Sequence, residues 1–182
     1  MAPNPRQDLR SLLKHSLAKA ARVAVLGIGS EFRGDDAAGV IAADRLAKRS
    51  AFLAQRAKRA KRAQRAKVAL GIYNGATAPE NLTGEIKRFK PTHLVIIDTV
   101  DAGQKTGTII VVDPDTVRGA TFSTHTMPAR ILADYLGAET GCKTTIIGIQ
   151  GRSVSFGTRM ARSVKESALF VSDELIAAIE EL

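Results

Sequence analysis

Residues 23–39, VAVLGIGSEFRGDDAAG, restrict the fold more than any other stretch of the chain. Val23 to Ile28 is a short, uninterrupted apolar run, the mark of a parallel strand covered on both faces. Gly27 and Gly29 permit a tight turn, and Asp35 and Asp36 then open a helical stretch over 36–48. A strand that feeds a helix in this way belongs to an α/β fold. Carboxylates are favourable at the positive end of a helix, so these residues taken alone also suit a simple capped helix. A dinucleotide-binding loop does not fit. The third glycine of that fingerprint falls on Phe32, with Gly34 out of place, and two aspartates stand where a pyrophosphate needs bare N–H groups.

The same alternation runs through the rest of the chain. Leu9, Leu12, Leu13 and Leu17 stand at helical spacing and predict a leading helix over 6–20. Val68 to Tyr73 reads as a second strand, and residues 74–81 as a loop whose Pro79 fits the first turn of a helix running to about Phe89. His93 to Val100, HLVIIDTV, is the most hydrophobic strand and is expected at the centre of the sheet, with Asp98 and Asp101 at its end. Gly107 to Asp113 follows too closely for a crossover helix, so it must pair antiparallel at or near an edge. A loop at 121–128, a helix over roughly 127–137, a fifth strand at Lys143 to Ile149, a polar loop at 150–160 and a last helix over about 161–181 complete the pattern. The expectation is a single domain, residues 1–182, built as a three-layer α/β/α sandwich. Its five-stranded sheet is mainly parallel, with one antiparallel strand.

Charge has to be located before it is interpreted. The net charge is +9, but residues 48–67 hold nine Lys or Arg and no acid, and outside them 18 bases face 18 acids. Within that segment RAK-RAK-RAQ-RAK, residues 56–67, repeats every three residues, so its alanines spiral and build no fixed apolar face. A solvated basic helical extension is the direct reading; contact with an acidic partner, RNA or a membrane surface is the alternative. Nucleic acid is an unfavoured partner, because aromatic residues are only 4% and none lies within the repeat at 56–67. The single cysteine, Cys142, excludes an internal disulfide and a cysteine-built zinc site. It precedes the fifth strand, which makes a buried, inert thiol the expected reading. No apolar run approaches the ~18 residues of a membrane span, and the N-terminus lacks a signal-peptide core, so a cytoplasmic location is expected.

In parallel sheets, ligands sit beyond the carboxyl ends of strands where neighbouring strands send their helices to opposite faces. The first and third strands are candidates for that pair. Asp36 lies just past the end of one and Asp98 at the end of the other, and His125 sits in a later loop expected on the same edge. Two carboxylates and an imidazole suit a divalent first-row metal with open positions. Taken alone, each also fits an ordinary loop or capping role.

GIGSEFRGDDAAG, NGATAPENL, HLVIIDTVDAG, STHTMP and IIGIQ occur in the order seen in hydrogenase maturation proteases. Over residues 22–155 the chain resembles that family, and most of all the branch acting on membrane-bound, hydrogen-evolving [NiFe] hydrogenases. The resemblance implies a phosphorylase/hydrolase-like sandwich and nickel contacts from Asp36, Asp98 and His125. It implies an endopeptidase, aspartic-type by family, with Asp36 and Asp98 catalytic. Asp35, Gly75, Thr77 and Thr124 are the supporting or substrate-binding positions. The implied partner is the nickel-loaded precursor of the hydrogenase large subunit, from which a C-terminal extension is removed. The nickel is carried by that substrate, and no resident cofactor is expected. Ser30 and Ala37 stand where the family usually has Asn and Gly. The alternative reading is a nucleic-acid-binding module, or another hydrolase on the same fold, with 48–67 contacting RNA or an acidic partner.

Overall fold

The computed structural model describes residues 5–59, 68–112 and 127–182. In chain order they form α1 (Pro5–Ser16), β1 (Arg22–Ile28), α2 (Ala38–Arg59), β2 (Ala69–Ala76), α3 (Thr83–Phe89), β3 (His93–Val100), β4 (Ile109–Val112), α4 (Met127–Thr140), β5 (Lys143–Gln150) and α5 (Arg162–Glu180). Short 3-10 turns at Gly34–Ala37 and Pro79–Leu82 lead into α2 and α3. The sheet order is β2-β1-β3-β5-β4. All pairings are parallel except that of β4, which runs antiparallel to β5 at the edge with Ile109 opposite Ile149.

Side-chain alternation along the strands divides the core into two layers. Val23, Val25, Val95 and Ile97 face one way and pack with Leu13, Leu46 and Leu175 of α1, α2 and α5. Leu26, Leu94 and Ile96 face the other way, toward Ile86 of α3 and Leu132 and Leu136 of α4. All eight residues of β3 are buried, as its continuous apolar run requires of a central strand. Helices thus cover both faces, and the architecture is the expected three-layer sandwich.

Several element boundaries differ from the sequence pattern, each for a local reason. α1 stops at Ser16 instead of reaching residue 20, because Lys19 turns the chain with a left-handed φ of 65°. Leu12 is 51% exposed, while Leu9, Leu13 and Leu17 are buried. Full burial of a leucine is worth ~1.5–3 kcal/mol, so those three outweigh the partly buried ion pair of Arg10 with Glu174 and the exposed one of Lys14 with Glu181. β2 runs three residues further than Tyr73, and it does so through a bulge. Gly27 pairs with Asn74 and Ile28 with Ala76, leaving Gly75 between them. α2 extends to Arg59; most of the RAK repeat, residues 60–67, lies outside the described residues. Cys142 is buried, and burial pushes its thiol pKa up, as an inert cysteine requires. No helix among the described residues is long and apolar enough to cross a membrane.

Candidate active site

β1 and β3 are neighbours, and the helices that follow the strands flanking their junction lie on opposite faces. The carboxyl ends of this pair are therefore the switch point at which an α/β sheet opens a crevice. Glycines let α2 approach that point. A Cβ on Gly39 would run into the carbonyls of Ile97 and Ile28, so only glycine lets the first turn of α2 lie across both strand ends. Gly29, at φ 132°, reverses the chain so that the backbone of Asp36 folds back against it.

Neighbouring aspartates in this turn have separate environments. Asp35 is 1% exposed, and its carboxylate accepts three backbone N–H groups: Oδ2 from Arg152 at 2.7 Å and Ser153 at 3.1 Å, and Oδ1 from Ala161 at 2.6 Å. Its own N–H donates to the carbonyl of Ser153 at 2.9 Å, and its carbonyl accepts the hydroxyl of Thr99 at 2.7 Å. Asp35 thus ties the turn after β1 to the loop after β5 and to the end of β3. It does not cap its own helix, so the simple capped-helix alternative fails for this residue. Asp36, one position on, is only half-buried.

Asp98 is 4% exposed, and among the described residues its side chain accepts one hydrogen bond, from the N–H of Thr99 at 2.7 Å. Loss of water raises its pKa from the usual 3.8 to about 7; the Thr99 bond opposes this, and the negative charge of Asp36 adds to it. The charge of Asp36 is thus felt at Asp98. A carboxyl group divided between its two forms near neutrality can both donate and accept a proton, which is what general acid–base chemistry needs. The pair also offers oxygen donors to an approaching cation.

The remaining sequence candidates fall unevenly around this pair. Gly75 is buried in the β2 bulge, where an added Cβ would press on Pro79 and Leu26, so its part is to shape the loop. The N–H of Gly29 donates to the carbonyl of Ala76 at 3.0 Å, which holds the β2 end against the site turn, and Thr77 follows it on the exposed side. Thr124 and His125 lie outside the described residues. Among the described residues no group of three His, Cys, Asp or Glu is arranged to hold a metal.

Sequence reasoning missed two residues that build the site. Thr99 links Asp98 to Asp35, as given above. Gln150 is 4% exposed and organises the turn after β3: its Oε1 accepts the N–H of Ala102 at 2.8 Å and of Gln104 at 3.1 Å, and its Nε2 donates to Asp101 at 3.2 Å. A glutamine ending the apolar half of β5, within the IIGIQ block, was the available signal.

The chain is similar to known proteins in both sequence and fold. The profile of the family described as HycI, hydrogenase maturation protease, matches residues 54–180. The Hydrogenase 3 maturation protease of Escherichia coli (strain K12) is 30% identical over 152 residues, covering 83% of this chain and 86% of that protein. Among solved structures, the crystal structure of a [NiFe] hydrogenase maturation protease HycI from Thermococcus kodakarensis KOD1 aligns with a TM-score of 0.73 and 31% identity, over 94% of this chain and 99% of that one. The solution structure of an endopeptidase HycI from Escherichia coli aligns with a TM-score of 0.64 and 27% identity, over 86% of this chain and 90% of that one.

Proposed function

The chain belongs to the hydrogenase maturation protease family, and from that membership we propose that it makes a nickel-dependent cut with Asp36 and Asp98 as its working groups. The protein is an endopeptidase that removes the C-terminal extension of a [NiFe] hydrogenase large-subunit precursor. The observation that carries the finer reading is the pairing of two carboxyl groups at the β1/β3 switch point, one of them held near neutrality by burial.

Nickel arrives as part of the substrate, already held in the precursor. Asp36 and Asp98 offer it oxygen donors, and His125 is the expected third contact. Recognition by a partly ligated metal explains why a modest donor set suffices: the substrate's own ligands complete the coordination. The positive charge of the cargo favours the ionised form of Asp98, which burial otherwise disfavours. One aspartate then takes a proton from water as that water attacks the scissile carbonyl, and the same proton passes to the departing amine. The protease is aspartic in this sense, without the shared-proton dyad of the pepsin type.

The test mixes the protein with a C-terminally extended large subunit, nickel-loaded or nickel-free, and reads tail release by mass spectrometry. Release from the loaded precursor alone, lost with Asp98→Asn, is the expected result. Equal release from both precursors would remove nickel from the recognition step. No release from either would remove the cut itself.

A further inference from the structure

Phe32 and Phe156 are 70% and 77% exposed, the highest values of any large apolar side chains among the described residues. They come from separate loops, yet their rings stack with centroids 6.4 Å apart and planes inclined by 30°. Single exposed apolar residues are ordinary, but a contiguous aromatic pair standing in water is not. The backbone beneath is held firmly. The N–H of Gly157 donates to the carbonyl of Phe32 at 2.8 Å, Nε of Arg33 donates to the carbonyl of Val154 at 3.1 Å, and the three bonds to Asp35 lie just below. The pair is therefore preorganised, so binding on it costs little ordering entropy.

Its position and charge indicate the occupant. Phe32 precedes Asp36 by four residues in one turn, and the N–H of Asp36 donates to the carbonyl of Arg33 at 3.1 Å. The patch is thus continuous with the rim of the active site. Arg33, Arg152 and Arg159 in the same two loops are exposed, and none forms an ion pair among the described residues; Glu31 is the one exposed acid of those loops, Asp35 being buried and Asp36 half-buried. Aromatic rings beside guanidinium groups make the usual energetic centre of a protein interface, and each guanidinium can take a carboxylate with two parallel bonds.

We propose that Phe32 and Phe156, flanked by Arg33, Arg152 and Arg159, form the docking shelf for a segment of the precursor near the cut, one that carries an aliphatic or aromatic side chain beside carboxylates. This rests on the proteolytic reading above and supplies the substrate contact that reading lacks.

The experiment measures kcat and KM for tail release from the nickel-loaded precursor. The pair Phe32→Ser and Phe156→Ser is expected to raise KM about tenfold with kcat within about twofold, and Phe32→Tyr with Phe156→Tyr to restore KM. Arg152→Glu with Arg159→Glu is expected to raise KM and flatten its salt dependence. All are exposed, so thermal melts should stay close to that of the parent protein. An unchanged KM in the serine pair, while the parent protein cuts normally, overturns the shelf and leaves the protease standing. A parent protein that cuts no precursor overturns both. A dimer in sedimentation that the serine pair dissolves also overturns the shelf, by assigning the patch to a second copy of the chain.

Discussion

Asp35 and Asp98 are both buried carboxyl groups at the same strand ends, and they have opposite surroundings. Asp35 accepts three backbone N–H groups from the loop after β5, while among the described residues the Asp98 side chain accepts one, from its own neighbour Thr99. The first holds the fold together. The second is left in a poorly solvated position, and it pushes back against ionisation. Burial of a carboxyl group is therefore not by itself a sign of chemistry; what distinguishes the two is how completely the surrounding backbone satisfies the charge.

The contrast can be broken most sharply at Asp98. Asp98→Asn should keep the fold and lower kcat/KM for tail release by ~10³-fold or more, read in a single-turnover assay with nickel-loaded precursor. If the variant cuts normally, Asp98 is a structural residue and the comparison collapses.

Stability should show the same asymmetry through pH. A raised carboxyl pKa means the folded state keeps a proton that the unfolded chain has released. Stability from this group is full below the usual 3.8, declines as pH rises through that window, and is gone above about 7. Asp98→Asn removes the penalty. In urea titrations it should exceed the parent protein in stability at pH 8, by up to roughly 4 kcal/mol, with the gap closing toward pH 4.

Asp35→Ala should behave in the reverse sense. It leaves the N–H groups of Arg152, Ser153 and Ala161 without their acceptor, at a cost of about 3 kcal/mol and a lower melting temperature. A variant that melted like the parent but no longer cut would exchange the roles assigned to the two residues.

The smallest effect is expected at Gln150. Its replacement by Ala should loosen the turn at 101–104 and cost about 1–2 kcal/mol in the same titrations, with hydrogen exchange accelerated at the amides of Ala102 and Gln104. Protection unchanged at those amides would detach Gln150 from the site's construction.

Much of the framework was legible because its signals are local. β1 begins and ends at the edges of its apolar run, β3 occupies His93–Val100 as its pattern predicts, and β4 is antiparallel because too few residues separate it from β3 for a crossover. Other boundaries escaped for equally specific reasons. A left-handed residue at Lys19 ends the α1 region early, and a bulge at Gly75 carries β2 past its apolar run. Gln150 was visible only as a polar residue at a strand end.

The amino-acid order by itself determined the strand–turn–helix unit, the position of Asp36 and Asp98 at neighbouring strand ends, and the family motifs that name the reaction. Periodicity and turn chemistry act over a few residues, so they survive in a one-dimensional reading. Only the tertiary structure decided which aspartate of the 35–36 pair turns inward, since its partners lie 117 to 126 residues further along the chain. The same holds for the meeting of Phe32 with Phe156 and for the raised pKa of Asp98. Desolvation and long-range hydrogen bonding exist only once distant segments have closed over a group, and no local pattern encodes them.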